Sequence, residues 1–249
     1  MLKLYVHPEY AGIRDFLRSL PLTFDQYGEV LYARRNVIRR ITAPDGTELN
    51  VKRYGVPGWF NRVVYTYLRS SKGWRAYTYP ARLLRAGIDT PRPVAYIEQR
   101  RGGLIRDSYL VTLQCPYRRN FYEFGNARVA DCRDVVAAFA RFTARQHEAG
   151  ILHLDYSPGN ILFDRVGEEW RFSLIDINRM RFGPVSIKRG CANFARLWGQ
   201  KAFFEQLAAD YAAARGGDAA QCRRWILFYR RRFWQRYRRR HELKFNLEL

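Results

Sequence analysis

Acidic residues are scarce in this chain. Its 249 residues carry 23 Asp plus Glu against 44 Lys plus Arg, a formal net charge of +21, and no acid occurs between Glu48 and Asp89. Such a field disfavours cationic partners and attracts polyanions: nucleic acid, an anionic membrane or a phosphorylated substrate. Cysteine is sparse too. Cys115, Cys132, Cys191 and Cys222 form no C-x-x-C pair, which argues against a disulfide framework or a zinc site and for a reducing, cytosolic compartment. No apolar run approaches the roughly 18 residues of a membrane span, and residues 1–5 have no signal-peptide core. A soluble or peripheral protein is expected. No internal repeat is present.

What the chain does have is one organising stretch. His153-Leu-Asp-Tyr-Ser-Pro-Gly-Asn160 reads H-x-D-x-x-x-x-N and runs into the apolar Ile161-Leu162-Phe163; a second apolar run, Ser173-Leu-Ile, ends in Asp176. Pro158 and Gly159 predict a tight loop that returns Asn160 towards Asp155. A hairpin turn is expected over residues 164–170, with residues 171–175 as the returning strand. Asp176 then arrives at the same end as Asn160. One amide and one carboxylate converging in this way suit a hard cation that keeps its other positions for water and phosphate. Asp155 is the carboxylate to orient an attacking hydroxyl, and His153 braces the loop.

The flanking sequence predicts an α+β, two-lobed fold. Residues 2–7 read as a strand, and Ile13, Phe16, Leu17 and Leu20 as an amphipathic stretch broken or ended by Pro21. Three strands follow, at Glu29–Ala33, Val37–Thr42 and 47–54, with Asp45-Gly46 as a two-residue hairpin signal. In the third, Leu49 and Val51 share one face and Lys52 points to the other, from which it can reach nucleotide phosphates. A helix is predicted over 68–87, started or kinked at Pro80 and stopped by Gly87. Strands at 93–99 and 108–113 lead to a hinge at Gln114-Cys115-Pro116. Residues 1–115 are expected to form a nucleotide-binding lobe, an antiparallel sheet with one helix. Residues 116–249 are expected to form a mostly helical lobe bearing the catalytic loop and the substrate side. Within it, 131–149 reads as a helix with Val135, Val136, Phe139, Phe142 and Gln146 on one face, and Gly216-Gly217 as a break. The last helix, 219–241, sets Trp225, Phe228, Tyr229, Phe233 and Tyr237 among nine arginines, including Arg223, Arg230, Arg236 and Arg240. It reads either as a core stripe with a solvated basic face or as an interfacial element on lipid phosphates. A nucleic-acid surface is disfavoured, because no recognised binding motif accompanies the arginines.

Together the strand lysine, the H-x-D-x-x-x-x-N loop and the strand-end Asp resemble the protein-kinase-like superfamily. Tyr156-Ser-Pro-Gly159, with no lysine two positions after Asp155, resembles its small-molecule phosphotransferases. The short length, the basic charge, the Asn50-Val-Lys-Arg-Tyr54 strand and Asp176-Ile-Asn178 in place of D-F-G look most like the lipopolysaccharide kinases, over residues 29–200. That resemblance implies ATP- and Mg2+-dependent phosphorylation of a Kdo or heptose hydroxyl of the lipid A–core. It implies Asp155 as catalytic base, Asn160 and Asp176 as magnesium ligands, Lys52 as the phosphate anchor and His153 as structural. It also implies a place on the cytoplasmic face of a bacterial inner membrane, touching anionic lipid peripherally, with a glycolipid substrate and no obligate protein partner. Two departures stand out. Ala33-Arg34-Arg35-Asn36 replaces the glycine-rich loop, and Arg34 or Arg35 is expected to supply phosphate donors instead. The helix after Lys52 carries no glutamate to pair with it: Thr78 or a neighbour falls there, and Glu98 is the candidate substitute. A kinase for another small molecule, or a pseudokinase scaffold binding anionic lipid or a partner, are the alternatives.

Overall fold

The computed structural model describes residues 1–55, 58 and 70–249. They fall into two units, 1–82 with 90–116 and 83–89 with 117–249.

Among its described residues, the first unit is built on a six-stranded antiparallel sheet in the order β1-β5-β6-β4-β3-β2. The strands are β1 (Leu2–Val6), β2 (Glu29–Ala33), β3 (Val37–Thr42), β4 (Glu48–Tyr54), β5 (Pro93–Arg101) and β6 (Leu104–Leu113). Alternation sorts the side chains. Leu49 and Val51 of β4, Val94 and Ile97 of β5 and Val111 of β6 form one core with Ile13, Leu17, Leu20 and Phe24. That buried set places α1 (Arg14–Thr23) against the sheet. Pro21 does not break α1. It sits in the last turn, and the helical bonding carries on beyond it, the Phe24 amide donating to the Leu20 carbonyl at 2.8 Å. The β3–β4 connection is also longer than two residues. The Gly46 amide donates to the Ala43 carbonyl and the Ala43 amide to that of Thr47, both at 2.9 Å. Gly46 takes the positive φ of 84° that this three-residue turn requires.

The sheet's other face carries α2 (Lys72–Thr78). Ser71 caps it through the Trp74 amide. Gly73 lies so close to Tyr96 and Tyr54 that a Cβ would meet their rings at 2.6 and 3.2 Å, so only glycine lets the helix sit this low. The single helix expected over 68–87 is instead α2 followed by α3 (Pro80–Arg85). Proline begins the second piece, where its missing N–H does no harm. The first two residues of that expectation lie outside the described residues.

The second unit holds β7 (Arg119–Asn120), α4 (Arg133–Glu148), β8 (Ile151–His153), β9 (Ile161–Val166), β10 (Glu169–Leu174), β11 (Met180–Phe182), α5 (Ile187–Asn193), α6 (Lys201–Arg215) and α7 (Ala219–Tyr237). The predicted face of α4 is buried in full. Phe139, Phe121, Phe163 and Phe194 are fully buried and pack ring against ring. The turn between β9 and β10 is tighter than the expected 164–170. Asp164, Arg165 and Val166 pair with Arg171, Trp170 and Glu169, and only Gly167 and Glu168 are left to turn.

Helix α7 differs from its sequence reading. The residues it buries are Cys222, Ile226, Arg230 and Trp234, spaced by four, while Phe228 and Tyr237 are exposed. Arg230 is thus inside the protein rather than on a basic surface. Its guanidinium donates to the carbonyls of Gly199, at 2.6 Å, and Glu248, and lies 4.5 Å over the Phe204 ring. Burial draws its pKa down to about 10. The remaining arginines of the helix are exposed.

Candidate active site

Two elements deliver the loop. Strand β8 ends in His153, and a short turn over Pro158–Asn160 leads into β9. The Asn160 amide N–H donates to the Ser157 carbonyl at 2.9 Å, and the Ser157 N–H to the Asp155 carbonyl at 2.8 Å. The loop therefore folds back on itself as Pro158 and Gly159 predict. The Asn160 side-chain Nδ2 donates to the Asp155 carbonyl at 2.8 Å. From the facing strand, the Ile175 N–H donates to the Asn160 carbonyl at 3.0 Å. These bonds bring Asp155, Asn160 and Asp176 to one rim. With Nδ2 engaged, Asn160 presents Oδ1, the oxygen a hard cation prefers. Asp176 has a φ of 54°, the one positive φ of a non-glycine among the described residues, and its Oδ1 accepts from Asn178 Nδ2 at 2.6 Å. One carboxylate and one amide oxygen is a donor set that fits magnesium, which binds few protein oxygens and retains several waters.

His153 is completely buried. Its Nδ1 accepts from the Asp155 N–H at 3.0 Å, so Nε2 carries the proton and donates to the Ile175 carbonyl at 3.1 Å. The ring ties this loop to the end of the strand that leads into Asp176. Burial lowers its pKa, keeping it neutral, as both bonds require. Both bonds of His153 are thus to main-chain groups, those of Asp155 and Ile175.

Behind it runs a polar relay that the sequence reading missed. Asn193 Nδ2 donates to the His153 carbonyl at 2.9 Å, which leaves Asn193 Oδ1 to accept from His147 Nε2 at 3.1 Å. His147 Nδ1 then accepts from the Tyr211 hydroxyl at 2.8 Å, and Arg215 donates to that hydroxyl at 2.9 Å. Helices α4, α5 and α6 are joined to the loop through side chains spread over 69 positions in sequence, which no local motif reveals.

His147 also makes stability depend on pH. Burial, chiefly, pulls its pKa from 6.5 down to about 4. Between those values the unfolded chain binds the proton and the folded one does not. This group's contribution is therefore complete above pH 6.5 and lost as pH falls to about 4, roughly 3 kcal/mol in all. His153 acts in the same direction. Urea unfolding followed from pH 7 to pH 4 is expected to show this loss, and His147→Gln, which cannot titrate, to flatten much of the slope.

Asp155 itself is not open. Its side chain is 19% exposed. Oδ1 lies 2.9 Å from Arg196 Nη2 and Oδ2 lies 3.5 Å from Arg179 Nη1. Neither arginine was singled out from sequence. Arg179 follows Asp176 by three residues, and Arg196 comes from the turn after α5.

In the first unit, Lys52 sits between Ile38 and Leu110 in register. It lies on the face opposite Leu49 and Val51, its Nζ 5.2 Å over the Tyr54 ring. Arg34 and Arg35 are exposed at the β2–β3 turn. That turn is held by the Gly55 amide donating to Asn36 Oδ1 at 3.2 Å. The Arg35 carbonyl packs so close to Gly55 that a Cβ there would come within 2.4 Å. Thr78 gives its hydroxyl to the Trp74 carbonyl at 3.1 Å. Glu98, the candidate substitute acid, engages Arg100 at 2.5 Å through one oxygen and the Tyr96 hydroxyl at 2.9 Å through the other.

An antiparallel-sheet unit, a largely helical unit and this loop define a protein-kinase-like phosphotransferase. The profile of the lipopolysaccharide kinase (Kdo/WaaP) family matches residues 60–211, and the chain belongs to that family. Among solved structures, it is similar to WaaP in complex with acyl carrier protein: 18% identity, 94% of this chain and 99% of that one covered, TM-score 0.59. The Rio2 kinase–ADP/Mg2+–phosphoaspartate complex from Chaetomium thermophilum matches more loosely, at 15% identity over 93% of this chain and 78% of that one, TM-score 0.45. No curated protein sequence matches.

Proposed function

We propose that this lipopolysaccharide kinase transfers phosphate from ATP to a hydroxyl of Kdo or heptose in the lipid A–core. The supporting observation is the closed loop: Asn160 hydrogen-bonded to Asp155, and Ile175 to Asn160. It draws the main chain at Asp155, Asn160 and Ile175 together, which supports reading Asp155, Asn160 and Asp176 as the set that in-line phosphoryl transfer uses. Asp155 orients the accepting hydroxyl and takes its proton. Asn160 Oδ1 and Asp176 hold Mg2+, which when bound neutralises charge on the phosphates. Lys52 anchors those phosphates, with Arg34 or Arg35 in place of a glycine-rich loop. His153 keeps the loop in register. The nucleotide side is assigned to the lobe of residues 1–115, and the acceptor side to 116–249.

The exposed arginines of α7, Arg223, Arg224, Arg231, Arg232 and Arg236, suit an anionic leaflet, consistent with peripheral action at the cytoplasmic face of an inner membrane. No described helix is long and apolar enough to cross one. A protein is the other candidate for that face, since the structural neighbour was captured with an acyl carrier protein.

Purified protein with ATP, Mg2+ and lipid A–core, read by mass spectrometry, is expected to add one phosphate to the sugar, with the addition lost in EDTA. Unchanged glycolipid under these conditions removes the proposal and leaves the scaffold reading.

A further inference from the structure

The capped state of Asp155 asks what uncaps it. A base that is to receive a proton from a hydroxyl needs a lone pair the hydroxyl can reach, and here both oxygens face guanidinium groups that crowd the approach. The two caps are not equivalent. Arg196 is held from behind. Its guanidinium lies 5.5 Å over the Phe233 ring of α7, and its Nε is buried with no hydrogen-bond partner among the described residues. Arg179 is 54% exposed and makes the longer contact. Around one carboxylate the pair leaves a net positive charge, at the spot where the accepting hydroxyl must come.

A neutral sugar would have to displace ion pairs to reach Asp155 and would offer the arginines only uncharged hydroxyl acceptors in return. A sugar with an anion near the accepting hydroxyl would take over the guanidiniums, whose forked donors match carboxylate and phosphate, and so free the carboxylate. We propose that Arg179 and Arg196 select the acceptor: they exchange Asp155 for a carboxylate or phosphate on the incoming sugar, so that the base is released only when an anionic acceptor is bound. This rests on the kinase reading above and adds to it the charge that the acceptor must carry near its reacting hydroxyl.

The test compares wild type, Arg179→Ala, Arg196→Ala and Arg196→Lys, with ATP and Mg2+. Four acceptors are used: free Kdo, Kdo methyl ester, a heptose phosphate and the unphosphorylated heptose. Calorimetric binding of Kdo and of the heptose phosphate without nucleotide is measured alongside. Wild type is expected to favour an anionic acceptor over its neutral counterpart by about 100-fold in kcat/KM. Arg196→Ala should raise KM for that acceptor at least about tenfold, with kcat within about threefold, and leave the neutral sugar unchanged or improved. Lysine should restore part of the loss, since it keeps the charge but not the fork. The anionic sugar whose KM moves identifies the group recognised. Equal losses for charged and neutral acceptors, or a loss confined to kcat, overturn the proposal and assign the arginines to the transferred phosphoryl group or the fold. If wild type phosphorylates none of the four, calorimetry decides. Binding of an anionic sugar that disappears in Arg196→Ala keeps the pair and removes the proposed reaction, whereas no binding by wild type removes both.

Discussion

Asp155→Asn is expected to lower kcat by roughly 10^3-fold, within the range for loss of a positioned general base, while ATP affinity stays within about threefold. The substitution is close to isosteric. The loop does not depend on the carboxylate, because the bonds that fold it run through the Asp155 backbone: its carbonyl takes Asn160 Nδ2 and its N–H gives to His153. On the proposed role, what is lost is the acceptor for the sugar hydroxyl's proton, together with the anion that the two guanidiniums face. Asp155 is largely buried, but both arginines reach solvent and the amide keeps one oxygen facing them, so the melting temperature is expected to fall only modestly. Steady-state kinetics beside a thermal melt separates the two effects. Activity within tenfold of wild type would show that another group orients the hydroxyl.

Gly190→Ala is expected to be the costliest small change in the second unit. A Cβ at this position of α5 would stand 1.9 Å from the Tyr211 hydroxyl and 2.8 Å from His147 Nδ1, inside the relay that ends on the His153 carbonyl. Both neighbours are buried and bonded, so neither can simply swing away. Overpacking of this kind costs about 3 kcal/mol at the upper end of its usual range. Chemical denaturation should show the midpoint fall with little change in slope. Tyr211→Phe in the same chain removes the hydroxyl that clashes and should recover part of the stability lost to the methyl group, a non-additive result that independent sites would not give. Full additivity would place the strain elsewhere.

Both predictions rest on features of unequal visibility in the sequence. The loop was legible because its geometry is local: proline and glycine between Asp155 and Asn160 dictate a return, and two apolar runs dictate a hairpin. The alternation around Val51 likewise placed Lys52 on the face away from the core. The relay and the two arginines on Asp155 were not legible. They join residues from separate helices and turns, and among 44 basic residues nothing in the sequence distinguishes Arg179 or Arg196. Helix α7 shows the opposite failure. Of its two readings, the core stripe fails for Phe228 and Tyr237, which are exposed, and Arg230 goes inside, because main-chain carbonyls and the Phe204 ring receive it. Pro21 was over-read as well: in a final turn the bond it deletes matters little.

The left-handed backbone at Asp176 carries one more consequence. Glycine would occupy that conformation with less steric penalty, whereas an aspartate there is disfavoured by about 1 kcal/mol. The hydrogen bond from Asn178 and the two strands on either side hold it in place. The second unit therefore stores a little strain at Asp176, and Asp176→Gly would release it while removing the carboxylate proposed to hold the cation.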